Sequence, residues 1–214
     1  MHALALVALA AAAAAAPERD RRLEAGPEDG RVRIHVAKKG LFSAFAHDHD
    51  FEVTRWRAEA ELPGGDAGRA TVEVSLQADS LRDRHEGLSD GDRRKVDAQA
   101  AGPEVLDAAS HPEIVWRGAR VALAPVVGAA PESIHGKAIG SLTLRGRTRP
   151  VEVALDGDPD GEGWRVRGRA TFRQSDFGIR PFSGFGGAVG VKDEVALTFE
   201  LTLRPAAARA EAAP

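Results

Sequence analysis

Residues 41–53 read LFSAFAHDHDFEV, and His47 and His49, one residue apart, are the side chains best suited to chemistry. Two imidazoles at that spacing on one face of a strand can both reach a Zn²⁺ at about 2.0–2.1 Å per bond, and a full site then needs a third ligand. His35, His111 and His135 are the candidates for it. Two other roles stand beside metal binding. Each ring can cap a carbonyl or carboxylate at the end of the core, or it can hold the polar head of a ligand, since a neutral imidazole donates one hydrogen bond and accepts another. The chain has no cysteine, which removes disulfides, thiolate metal sites and thiol nucleophiles and leaves only His and carboxylates to hold a metal.

Other chemistries find less support. Ser175-Asp176 lacks a G-x-S-x-G elbow and the strand–turn–helix context of a hydrolase nucleophile. GFGGAVG, residues 184–190, is not followed by the Lys-Ser of a phosphate-binding loop. The acids of LRDRHEGLSDGD, residues 81–92, read as solvated charge and helix capping. Arg173, Asp176 and Arg180 form either a surface ion pair or a contact to an anionic headgroup, with pairing favoured. A net charge of −3 with interspersed signs gives no phosphate-tracking surface, so nucleic acid is excluded as an expected partner. No catalytic set and no cofactor is expected, and a homodimer is left open.

The elements that position these residues are strands. Alternation of apolar and polar residues recurs at Val32-Ile34-Val36, Val72-Val74-Leu76, Ile114-Trp116, Leu142-Leu144, Val151-Val153-Leu155, Trp164-Val166 and from Val195 to Leu203. Turn signals lie at 62–69, 145–150 and 156–164. Residues 89–113 depart from this rhythm and predict one or two short helices crossing a barrel end, the first capped by Asp90 or Asp92 and the second opened by Pro103. The class is therefore mainly β, either a sandwich or a closed barrel. Closure is preferred, because pairing the long last strand, 194–204, with the first removes both edges of an eight-stranded sheet. Gly118, Gly136, Gly140 and Gly168 fall within strands, where they mark bends or leave internal space.

If 45–53 is extended, Phe45, His47, His49, Phe51 and Val53 share the inward face and Asp48, Asp50 and Glu52 face water. Odd Phe51 and Val53 followed by even Trp56, Ala58 and Leu62 predict a bulge near Thr54. Strand parity assigns Trp116, Leu142, Leu144, Phe172 and Phe199 to the same interior. Phe42, Phe45 and Phe51 join them, with Phe177 close by, while Phe182 and Phe185 sit in a Gly-rich loop that suits a portal. Plain core is the competing reading for every one of these aromatics.

At the start, MHALALVALAAAAAAAPERD is an apolar run ending in charge, read as a signal peptide over residues 1–16. Export to the bacterial envelope, a periplasmic location, a polar linker over 17–30, a domain over 31–204 and a disordered tail over 205–214 follow as expectations. After processing no transmembrane segment remains.

Five stretches together resemble the YceI-like family: AKKGLFSAFAHDHDFEV, VLDAASHPEIVW, GSLTLRGRTRPVEV, RATFRQSDFGIRPF and VKDEVALTFELTL, spread over residues 31–204. The resemblance implies an extended lipocalin-like antiparallel barrel, exported, with a long apolar ligand such as a polyisoprenoid or an isoprenoid quinone tail inside it. His-x-His departs from members whose first motif lacks it, and PFSGFGGAVG suggests a different opening at one barrel end. Two rival readings are a metal-dependent protein built on His47 and His49, and an envelope stress or structural protein with a filled barrel.

Overall fold

Residues with two-residue alternation become strands because that period places every second side chain on one face, where neighbouring strands can bury it together. The computed structural model describes residues 20–39, 48–123, 133–184, 186 and 188–206. Within them, strand segments join in one antiparallel sheet: β1 (Arg21–Ala25), β2 (Gly30–Lys39), β3 (His49–Val53), β4 (Trp56–Leu62), β5 (Thr71–Gln77), β6 (Leu81–Asp83), β7 (Glu113–Leu123), β8 (Ile134–Leu144), β9 (Arg147–Asp160), β10 (Gly163–Arg173), β11 (Ser183–Gly184) and β12 (Val189–Pro205).

The order β1-β4-β5-β7-β8-β9-β10-β12 closes on itself, since β12 also pairs with β1 through Leu23↔Pro205 and Glu24↔Arg204. This is an eight-stranded antiparallel barrel. At one end β2, β3 and β6 prolong β1, β4 and β5, and they pair in the order β12-β2-β3-β6. The preferred closure of last strand against first is what the chain does.

Three local differences from the sequence reading have physical causes. Residues 17–30, read as a linker, contain β1, whose Leu23 and Ala25 are fully buried between the charges Arg21, Arg22 and Glu24. A five-residue strand with one large apolar side chain leaves little periodic signal. The turns at 145–150 and 156–164 shrink to Arg145-Gly146 and Gly161-Glu162, so Pro150 and Asp156 to Asp160 lie in β9. Arg145 (φ 49°) and Gly146 (φ 68°) both take the left-handed conformation that a two-residue hairpin loop requires.

Only one of the two suggested helices forms: α1 (Asp90–Ala101), with the Ser89 hydroxyl, not an aspartate, accepting from the Asp92 N–H at 3.2 Å. Pro103 opens no second helix, because Gly102 and left-handed Asp107 (φ 48°) turn the chain back too soon. Ala100, Val105 and Leu106 from this excursion reach the barrel interior and cover one end, while Ala67 and Ala70 cover the other.

The predicted irregularity at Thr54 is present. The Thr54 N–H bonds the Ser80 carbonyl at 3.0 Å and the Arg55 N–H bonds the Ser80 hydroxyl at 3.2 Å. Ser80 is fully buried, and its turn at 78–80 breaks the neighbouring strand between β5 and β6 at the same level. Facing breaks let both strands switch parity together, so Phe51, Val53, Trp56 and Ala58 all point inward.

Candidate functional site

The inward side chains do not fill the barrel. A cavity of about 250 Å³ runs between the covered ends, walled almost entirely by hydrocarbon. Phe51, Trp116, Leu142, Leu144, Phe172 and Phe199 all line it, as strand parity predicted. Several inward residues, among them Val74, Leu155 and Leu197, keep partial exposure because they border this hollow rather than another side chain.

Two of the strand glycines accommodate the Trp116 ring. A Cβ on Gly118 would collide with the indole, and one on Gly140 would lie 2.5 Å from both the indole and the Arg117 carbonyl oxygen. The ring therefore lies flat across β7 and β8, and its Nε1 donates to the Val151 carbonyl on β9 at 3.1 Å. Gly168 plays the same part for the Phe199 ring that pairs with it across β10 and β12.

Two expected wall residues lie elsewhere. Phe177 is 1% exposed and packs edge-on against Phe172, with ring centroids 5.6 Å apart, behind the wall rather than on it. The chain has by then left β10 for a tight turn at 174–177, and strand parity no longer applies. Phe182 is 51% exposed, because it precedes a two-residue strand that hangs on the outer start of β12 through Ser183↔Gly190. Phe42, Phe45, His47 and Phe185 lie outside the described residues.

His49 keeps its inward parity but stands at the rim, stacked on Phe51 with ring centroids 5.9 Å apart. It does not line the cavity. Its Nδ1 is 2.6 Å from Oδ2 of Asp83, a carboxylate only 2% exposed whose other oxygen accepts from the His85 N–H at 2.7 Å. The Asp83 N–H in turn donates to Asp97 of α1 at 2.8 Å. The arrangement is the carboxylate-capping role for this ring. His49 and Asp83 sit on adjacent ends of β3 and β6, so the pair stitches those strands at the rim.

The suggested third metal ligands are not brought to His49. His35 pairs with Asp50 at 2.7 Å and His135 with Asp156 at 2.9 Å, both from outward positions, and His111 precedes β7. Among the described residues no group of three or more His, Asp or Glu side chains stands close enough to hold a metal ion. Asp48, as expected, is on the water side, where the Lys38 N–H at 2.8 Å holds its carboxyl below the ordinary value.

In RQSDFGIR, no ion pair joins Asp176 to Arg173 or Arg180 among the described residues, and all three are exposed. The anchored residue is Ser175, whose N–H and hydroxyl both donate to Asp193, at 2.9 and 2.6 Å. Burial raises the Asp193 carboxyl, but these two bonds together with the charges of Arg173 and Lys39 outweigh it, so the group ionises below its ordinary 3.8.

Two positions with a structural part to play escaped the sequence reading. Asp83 falls among the acids of residues 81–92 that read as solvated charge, although Leu81-x-Asp83 already has the alternation of a strand. Apart from the indoles of Trp116 and Trp164, Gln174 is the polar side chain on the cavity wall among the described residues, and it continues the even-numbered inward series of Trp164, Val166, Ala170 and Phe172.

The barrel has known counterparts. BcnA from Burkholderia cenocepacia superposes with a TM-score of 0.58 at 18% identity, covering 80% of this chain and 95% of that one. A polyisoprenoid binding domain from Saccharophagus degradans, implicated in plant cell wall breakdown, superposes with a TM-score of 0.58 at 10% identity, covering 86% and 98%. At these identities the likeness speaks for the fold. No protein with a curated description matches the chain. Residues 27–203 match the family described as the YceI-like domain, and on that match the chain belongs to the YceI-like family.

Proposed function

We propose that this protein is an exported carrier that holds one slender, long-chain apolar molecule, of the polyisoprenoid or isoprenoid-quinone class, inside its barrel and catalyses nothing. The observation that carries this reading is the hollow itself: about 250 Å³ of space bounded by hydrocarbon from one covered end to the other. That volume lies just under the range of about 300–1,000 Å³ usual for drug-sized ligands, which favours a thin chain over a bulky ring system. Each Å² of apolar ligand surface removed from water contributes about 25 cal/mol, so a chain needs few polar contacts to bind. The polyisoprenoid-binding neighbour supports the ligand class, and the apolar run at 3–16 supports export.

The test is organic extraction of the purified protein followed by mass spectrometry. A co-purifying prenyl lipid near one per protein is expected. Replacing Ala138 on the wall with Phe should strip most of that lipid while leaving a folded barrel, because the ring would occupy the hollow. An extract free of lipid, together with no uptake of added prenyl chains, would sink the carrier reading.

A further inference from the structure

The hollow is bounded in both directions by the protein's own side chains. At the end where β4 connects to β5 and β9 to β10, Ala67 and Ala70 line it from a short turn. That turn is held by the Gly68 N–H on the Asp66 carboxylate at 2.8 Å and the Ala70 N–H on the Ala67 carbonyl at 3.2 Å. At the other end Leu106 and Ile179 are buried against the hollow, and Arg145 donates to the Pro103 carbonyl at 2.7 Å, tying the 103–106 segment to the β8–β9 hairpin. Trp164 is the largest side chain lining the first end among the described residues. It is the second residue of β10, beside the Gly161-Glu162 turn, and is paired with Pro159 on β9 and Leu203 on β12. Its backbone has no room to retreat, because a Cβ on the neighbouring Gly163 would collide with the Leu203 carbonyl oxygen.

We propose that the barrel sorts its ligands by chain length, enclosing short prenyl chains whole and excluding long ones, with Trp164 as the stop at one end. This rests on the carrier reading above and narrows it to the shorter members of that class. The limit follows from volume. An apolar cavity of about 150 Å³ takes benzene and pockets from about 300 Å³ upward take drug-sized molecules, so a hollow of about 250 Å³ holds a chain of about ten to twenty carbons, or about two to four isoprene units. Each enclosed carbon adds to binding, whereas a carbon that does not fit adds nothing. A longer chain also has to displace either Ala67, Ala70 and Trp164 or Leu106 and Ile179, re-exposing apolar surface that is already buried. The argument holds whichever way round the chain lies.

The experiment equilibrates the delipidated full chain with an equimolar mixture of prenyl alcohols that share one head: farnesol (three units), geranylgeraniol (four), geranylfarnesol (five) and solanesol (nine). The protein is re-isolated and the retained alcohols are quantified by mass spectrometry. The wild type is expected to retain farnesol and geranylgeraniol at least tenfold over solanesol. Trp164→Leu, which shortens the stop, should raise geranylfarnesol relative to geranylgeraniol several-fold, and Trp164→Phe should move the profile the same way by less. Retention of solanesol on a par with geranylgeraniol by the wild type would overturn the length limit while leaving the carrier reading intact. A folded Trp164 variant with the wild-type profile would overturn the part given to that ring. Retention of none of the four would overturn the carrier reading and the limit together. The wild-type profile needs no variant, so it decides the limit even if neither Trp164 variant folds.

Discussion

At the scale of single residues, the wall is organised by where side chains are missing. Trp116 can lie flat only because Gly118 and Gly140 have no Cβ, and lying flat lets its N–H reach a carbonyl two strands away. Gly140→Ala is expected to destabilise the barrel by about 1–3 kcal/mol, since one of the atoms it would meet is the Arg117 backbone oxygen, which cannot swing aside. Chemical denaturation read by tryptophan fluorescence measures it. The His49–Asp83 pair gives a second residue-scale prediction. His49→Ala leaves a nearly inaccessible carboxylate with one partner fewer and should cost about 2–3 kcal/mol, whereas the double change His49→Leu, Asp83→Leu should cost less than the single one. A double-mutant cycle on denaturation midpoints settles the order.

At the scale of elements, the 174–177 turn decides how one barrel end is closed, and Asp193 of β12 holds that turn through Ser175. Because the folded carboxyl ionises below its ordinary 3.8, its contribution is fully present above the unfolded value and is lost as pH falls through the lowered folded one. Asp193→Asn should therefore lower Tm at neutral pH, and the gap from wild type should narrow as the pH drops below about 4. Thermal scans across that range check the sign. The strands themselves were legible: alternation at Val72-Val74-Leu76 or Val195 to Leu203 announces one buried face whatever the fold around it. Phe177 was not, because parity ends where β10 ends and nothing in RQSDFGI marks whether a ring at the turn faces the hollow or the packing behind it. Gln174 was legible in principle, one step further along the same series, but a polar residue after an arginine reads as the start of a loop.

At the scale of the whole molecule, the barrel was readable from the number of strands and the need to hide two edges. The emptiness of its centre was not. Alternation shows which side chains point inward but says nothing about whether opposite walls meet, and that depends on small lining residues such as Ala58, Ala60, Ala138 and Ala170. Enlarging any one of these should raise thermal stability in the empty protein by filling space and lower it in the loaded protein by displacing the ligand. Melting Ala138→Phe with and without added geranylgeraniol distinguishes the two effects: the wild type should gain Tm on addition and the variant should not.

The seam between β1 and β12 joins Leu23 to Pro205, so the two ends of the described chain are hydrogen-bonded neighbours. A ring of staves sealed by its final piece stays unsealed until synthesis has passed residue 205. Until then the greasy lining is open along one side, and the moment of sealing is also the last at which cargo can be enclosed sideways rather than threaded through an end.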